Sequence, residues 1–156
     1  MTAPGPQQNR KTLAELSVPS EPGNERRAME EVAEAVQRLG LPERTLEKLK
    51  TAVAEATMNA MEHGNSYRAE IPVLIEVAAT GDRELSVRIT DRGSAPLRPG
   101  VEAPDLEAKL QNMQTPRGWG LFLVKNMVDE MRVSGDENHH TVELILHLQE
   151  NGEGDG

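Results

Sequence analysis

Three short polar stretches carry residue types that could do chemistry in a chain otherwise built from aliphatic side chains. The first, EATMNAMEHGN at residues 55–65, sets Glu55 and Asn59 four residues apart, which on a helix puts both side chains on one stripe. A carboxylate there can accept a proton, and a carboxamide oxygen one turn further on can ligate a hard cation such as Mg²⁺. Ala54, Ala56 and Ala60 leave room around them, while Glu62 and His63 continue the polar face. The same pattern also suits a solvated helix face.

The second stretch, DRGSAP at residues 91–96, follows the strand-like run LSVRIT. A strand that delivers Asp91 into a glycine turn places a carboxylate where it can accept a hydrogen bond from the exocyclic amine of a bound base. Gly93 lets backbone approach a ligand, although Asp-x-Gly by itself is also an ordinary turn signal. The third stretch is Arg117-Gly118-Trp119-Gly120-Leu121, at the expected start of a helix. Glycines there expose unpaired N–H groups at the positive end of the helix dipole, which suits phosphate, and Arg117 adds a charge. Many helices simply begin after such turns.

The elements that must position these residues follow from periodicity. Residues 13–18 alternate as a first, edge strand, and PSEPGN breaks it, with Asn24 as the expected helix cap. Ala28, Met29, Val32, Ala35, Val36 and Leu39 recur at helical spacing over residues 25–39, and Gly40 supplies a stop. Pro42 opens a second helix over residues 43–63, ended by Gly64 and Asn65. Residues 73–79 and 85–90 form an antiparallel hairpin around TGDRE. A long Pro- and Gly-containing connection follows, with a helix-like stretch at residues 106–113. Helical spacing resumes over residues 122–131, and residues 132–134 and 141–148 make a last strand pair around GDENHH. Residues 1–12 and 149–156 are too polar to bury anything and are expected to be disordered tails.

Composition narrows the function classes. The 156 residues hold 17 Lys+Arg against 26 Asp+Glu, a net charge of −9 without a basic block, which argues against direct nucleic-acid binding. Tyr67, Trp119 and Phe122 are the only aromatics, so no base-stacking platform is expected. Absence of cysteine excludes disulfides and thiolate chemistry. No apolar run approaches the roughly 20 residues of a membrane-spanning helix, and residues 1–10 have no apolar leader segment, so a cytoplasmic protein is expected. His63 suits the last turn of a helix, where its ring meets free carbonyls. His139 and His140 fall in a turn and His147 on a strand, and all three are read as solvated, without ligand spacing for a transition metal. Met58, Met61, Met113, Met127 and Met131 serve as core or interface filler.

The order of the three stretches, acid-plus-amide helix, strand-Asp-x-Gly, long connection, then Gly-x-Gly opening a helix, resembles the GHKL ATPase superfamily and, within it, the anti-sigma-factor serine/threonine kinases of bacteria. The likeness spans roughly residues 13–148. EATMNAMEHG resembles the family's N box, DRGSA its G1 box and RGWGL its G2 box. The resemblance implies a Bergerat ATP-binding fold: an α+β two-layer sandwich whose mixed, mostly antiparallel sheet is covered on one face by helices. It also implies ATP and Mg²⁺ as cofactors, Asn59 as the metal ligand, Glu55 as the catalytic base and Asp91 as the adenine contact. Gly93 would permit close backbone approach. Residues 96–117 would form the ATP lid, and Gly118, Gly120 and Arg117 would meet the phosphates. One departure is Ala95, followed by Pro96, where the G1 box often has a second glycine; it bears on adenine-site geometry and lid flexibility.

Two readings follow from the resemblance. In the first, the protein phosphorylates a Ser or Thr on a STAS-type anti-sigma-factor antagonist and sequesters a sigma factor, as a homodimer whose contacts involve the first strand and helix. In the second, it is an ATP-binding module that sequesters a partner with little or no kinase activity. The residues before Glu55 are already used by the first strand and helices, which leaves no room for the phosphoacceptor hairpin of a sensor histidine kinase. A purely structural adaptor would require all three stretches to be coincidental.

Overall fold

A computed structural model describes residues 10–81, 83–93 and 123–148. Five strands form one sheet: β1 (Arg10–Val18), β2 (Val73–Thr80), β3 (Glu84–Asp91), β4 (Glu130–Gly135) and β5 (His140–His147), in the order β1-β2-β3-β5-β4. Every pairing among the described residues is antiparallel, so the parallel component of the expected mixed sheet is not found there. Between β1 and β2 the chain forms α1 (Asn24–Ala35), a 3-10 turn (Gln37–Leu39), α2 (Glu43–Asn59) and a π-helical turn (Ala60–Gly64).

Strand alternation sorts the sheet into two faces. Val18, Val73, Ile75, Val77, Leu85, Val87, Ile89, Leu144 and Leu146 point to one face and are buried against Ala28, Val32 and Val36 of the first helical segment and Leu49, Ala52, Val53 and Ala56 of α2. Small residues on α2 let it lie close to the strands. Met61 is fully buried, and Met127 and Met131 pack against the same core. The other face carries a charged row. Arg10 makes two hydrogen bonds to Glu76, at 2.9 and 3.1 Å, and Arg88 reaches Glu143 at 3.2 Å. The Arg10 guanidinium holds the Glu76 carboxyl below its usual range. Such partly exposed pairs contribute little stability, so the aliphatic layer carries the fold.

Several boundaries differ from those read by periodicity. β1 begins at Arg10 rather than residue 13, because the ion pair with Glu76 and the Thr12 hydroxyl bond to the same carboxylate draw residues 10–12 into the sheet instead of the polar tail. A register shift between Thr12 and Ala14 accompanies this extension. Asn24 does not cap α1: Gly23, at φ 101°, occupies the cap position, and the Asn24 amide donates to the Pro19 carbonyl at 2.8 Å. Among the described residues, the helix read over residues 122–131 does not extend past residue 125. Residues 123–125 are helical, and β4 begins at Glu130 because Met131 and Val133 alternate toward the core opposite Leu144 and Val142.

The division of the two faces has a direct thermodynamic test. Leu85→Ala, at a fully buried position, is expected to lower the unfolding free energy by about 2–5 kcal/mol. Leu74→Ala, on the open face, is expected to cost less than about 1 kcal/mol. Urea unfolding with unchanged m-values checks both, and equal losses would contradict the assigned core.

Candidate active site

α2 holds Glu55 and Asn59 half-buried on one stripe, one turn apart. The Asn59 amide nitrogen donates to the Glu55 carbonyl at 3.1 Å. That bond uses one N–H of the side chain and turns its nitrogen toward the helix, leaving the oxygen as an acceptor of the kind a hard cation could use.

Immediately after Asn59 the helix widens. The Asn65 N–H donates to the Ala60 carbonyl five residues back at 2.9 Å, and the Tyr67 N–H to the Met61 carbonyl at 2.7 Å. Hydrophobic spacing predicts an uninterrupted helix to His63, but this turn is π-helical, a form that adds one residue to the ring and recurs at functional sites. The chain then leaves through Ser66 and Tyr67, both left-handed at φ 53° and 55°. Two successive non-glycine residues in that region are strained and persist only where the surroundings fix them. His63 lies in this turn with Nε2 3.7 Å from Glu62 Oε1.

The widened turn sets Gly64 directly on Asp91 at the end of β3. A Cβ on Gly64 would overlap the Asp91 carboxyl group, and a Cβ on Gly93 would come to 2.8 Å from the Gly64 carbonyl oxygen. Both positions require glycine for this approach. Asp91 is buried, and its Oδ1 accepts the Gly93 N–H at 2.8 Å. His140 Nδ1 stands 3.2 Å from the same oxygen. Among the described residues Oδ2 has no hydrogen bond, which leaves an acceptor for a ligand. Burial raises the Asp91 carboxyl above its ordinary range, while the Gly93 amide and His140 pull it back.

Asn65 locks the junction. It is 2% exposed; its Oδ1 accepts the Arg92 N–H at 2.8 Å, and its amide donates to Ser20 Oγ at 3.0 Å and to the Ile71 carbonyl at 3.1 Å. One side chain thus ties the π turn to the end of β3, to the β1–α1 connection and to the approach to β2.

The structure therefore brings Asp91 and Gly93 against the turn that follows Glu55 and Asn59. Arg117, Gly118 and Gly120, together with the expected lid at residues 96–117 and the helix-like residues 106–113, lie outside the described residues. Sequence reasoning missed Asn65, which reads as a helix terminator, and misplaced His140. That histidine opens β5 opposite Asp91 and is 4% exposed, rather than solvated in the turn. Counting back by two from Leu146, Leu144 and Val142 puts it on the inner face, the signal that could have found it.

Comparison with known proteins bears on what this arrangement is. The family described as histidine kinase-like ATPase domain matches residues 18–146. The chain belongs to that family. The serine-protein kinase RsbW of Bacillus subtilis (strain 168) is 30% identical over 159 residues, covering 93% of this chain and 90% of the relative. RsbW of Bacillus cereus (strain AH820) is 25% identical over 130 residues, covering 80% and 79%. This histidine kinase-like ATPase chain is thus a homologue of the RsbW serine-protein kinases.

Among solved structures, the RsbU and RsbW domains of a Mycobacterium tuberculosis protein match with a TM-score of 0.63 at 19% identity, over 86% of this chain and 32% of that one. The chain thus spans about a third of that longer polypeptide. The SiaB-SiaC complex of Pseudomonas aeruginosa gives a TM-score of 0.62 at 12% identity, over 90% and 92% of the two chains. These two likenesses speak for the histidine kinase-like fold. No helix among the described residues is long and apolar enough to cross a membrane.

Asp91 yields a pH prediction. Its carboxyl is raised in the folded protein, so its contribution to stability is fully present below the unfolded value near 3.8 and is lost as pH rises through the folded value. Asp91→Asn keeps an oxygen for the Gly93 amide and removes the charge. The ligand-free variant is expected to be more stable than wild type at pH 7 and to lose that advantage below pH ~4, as thermal unfolding across pH would read. A wild type more stable at pH 7 than at pH 4 relative to the variant would reverse the sign. Separately, Asn65→Ala strands buried polar groups at the junction and is expected to cost about 1–3 kcal/mol in urea unfolding.

Proposed function

We propose that the protein is an ATP-dependent serine/threonine protein kinase and anti-sigma factor of a partner-switching pathway, one that phosphorylates a STAS-type antagonist and sequesters a sigma factor. The observation that carries this reading is the coincidence of near-full-length RsbW homology with a half-buried Glu55 and Asn59 one turn apart, leading into the Gly64–Asp91 contact.

The residues fit a nucleotide and its metal. Asp91 Oδ2 is an acceptor suited to the exocyclic amine of adenine, and Gly93 keeps its neighbourhood free of side chain. The Asn59 oxygen suits Mg²⁺, which when bound would neutralise charge on the phosphates. Glu55 orients the partner's hydroxyl and takes its proton as that oxygen bonds to the γ-phosphorus; the bond to the bridging oxygen breaks and ADP leaves. Phosphoryl transfer asks chiefly for positioning and charge neutralisation. Gly118, Gly120 and Arg117 are assigned to the phosphates on the resemblance of their motif. The chain acts as a homodimer in this reading.

Ala95 followed by Pro96 favours a second reading, in which the altered G1 box leaves an ATP-dependent binding module with little or no kinase activity. Incubating tagged wild-type and Glu55→Ala proteins with γ-labelled Mg·ATP in lysate of the source organism, then capturing each with its partners, separates the two. The kinase reading expects label on a small co-purifying protein with wild type alone, while Glu55→Ala still binds Mg·ATP. Transfer retained in Glu55→Ala would remove Glu55 from the catalytic role. Partners held only when Mg·ATP is present, without label, would favour the binding module.

A further inference from the structure

The histidine at the start of β5 is not used by the mechanism above, yet it is more enclosed than any other histidine among the described residues. His140 lies opposite Asp91 on β3 and opposite Gly135 on β4, so its ring spans three strands on the inner face. A Cβ at Gly135 would come to 3.0 Å from His140 Cδ2. Glycine there leaves the space that the ring fills. Nδ1 faces Asp91 Oδ1 at 3.2 Å, and Nε2 is buried with no hydrogen-bond partner. A buried imidazole with an orphaned nitrogen is a costly feature unless the other nitrogen's contact has a use.

We propose that His140 is a positioning residue of the nucleotide site: its Nδ1–H binds Asp91 Oδ1, fixes the carboxylate's rotation and so presents Oδ2 to the base. The inference rests on the reading of Asp91 as the base contact. The Gly93 N–H donates to Oδ1 at 2.8 Å and His140 Nδ1 stands 3.2 Å from the same oxygen, where a proton on Nδ1 makes it the second donor. Two donors on one oxygen define the plane of the carboxylate and keep the other oxygen uncommitted. His140 also favours the charged form of Asp91 against the opposing effect of burial. The groups around Asp91 are His140 and, more weakly, His139 on the β4–β5 side, and the amide of Gly93. The π turn presents Gly64 and carries Glu62 and His63, and β3 runs on into Arg92.

The test is ADP affinity by calorimetry as a function of pH, from acid to neutral, for wild type, Asp91→Ala and three His140 variants. Asp91→Ala is expected to lose about tenfold to a hundredfold in affinity. His140→Leu is expected to lose about threefold to tenfold at neutral pH, with the fall in affinity on the acid side beginning at higher pH than in wild type. His140→Asn, which keeps an N–H donor near the position of Nδ1, is expected to stay within about threefold of wild type and keep its pH profile. His140→Gln, whose amide lies further out, is expected to follow His140→Leu.

A loss in His140→Leu that is uniform across pH would mean that the ring only packs, and would overturn the proposal. So would full affinity in His140→Leu, or an Asn variant no better than the Gln variant. Unchanged affinity in Asp91→Ala would instead overturn the base-contact reading itself. Should His140→Leu fail to fold, the Asn and Gln pair still decides. Nitrogen NMR of the wild-type histidines provides a check without substitution: a bare Nδ1 facing Asp91 would overturn the proposal.

Discussion

The contact between the Gly64 backbone and the Asp91 carboxyl group is the constraint on which the rest of the site depends. A charged group is tolerable inside a protein only when donors reach it, and a helix can approach a carboxylate this closely only without a side chain. Gly64 meets the second condition; the Gly93 amide and His140 Nδ1 meet the first. Gly93 is constrained in turn, because the Gly64 carbonyl leaves no space for a Cβ there. The two glycines and the aspartate form one packed unit, so glycine at either position follows from packing within the protein before any ligand arrives.

The π turn is what makes that unit reachable. An α-helix continued through residue 64 would present a different residue to β3, whereas the wider ring sets Gly64 on Asp91 and points Asn65 at Arg92, Ser20 and Ile71. The chain leaves this turn through two left-handed non-glycine residues. Strain of that kind is retained where surrounding bonds over-determine the backbone, and Asn65 provides those bonds from three directions. The energy that offsets it comes from elsewhere, in the aliphatic layer between α1, α2 and the sheet.

Much of the architecture was legible because burial on one face leaves a period in the sequence. β2, β3 and α2 begin within a residue of where alternation and helical spacing put them, and Gly40, at φ 64°, closes the 3-10 turn after α1. The polar motifs that resemble the N and G1 boxes were visible as residue types at fixed spacing. What escaped was set by partners distant in sequence. Nothing local distinguishes an α from a π turn at residues 60–64, since both bury Ala60 and Met61. Arg10 joins β1 through Glu76, 66 positions away. Asn65 looks like a helix stop until its bonds to Arg92, Ser20 and Ile71 are seen. His140 sits beside a half-buried histidine in a turn-rich stretch, and only the strand phase separates the two.

A buried carboxylate that is raised by its surroundings costs stability at neutral pH, and a fold under selection for stability alone would replace it. Its retention is intelligible if the charge is needed for a ligand. The same reasoning covers the orphaned His140 Nε2 and the strained exit from the π turn, each unfavourable alone. These costs lie along one continuous piece of structure, from Glu55 and Asn59 through the π turn to Gly64, Asp91 and His140. Phosphoryl transfer depends on holding donor and acceptor in line, and small displacements are expensive. Binding the base at one end of this unit and orienting a hydroxyl at the other would make the rigidity of the Gly64–Asp91 junction the link between recognition and chemistry.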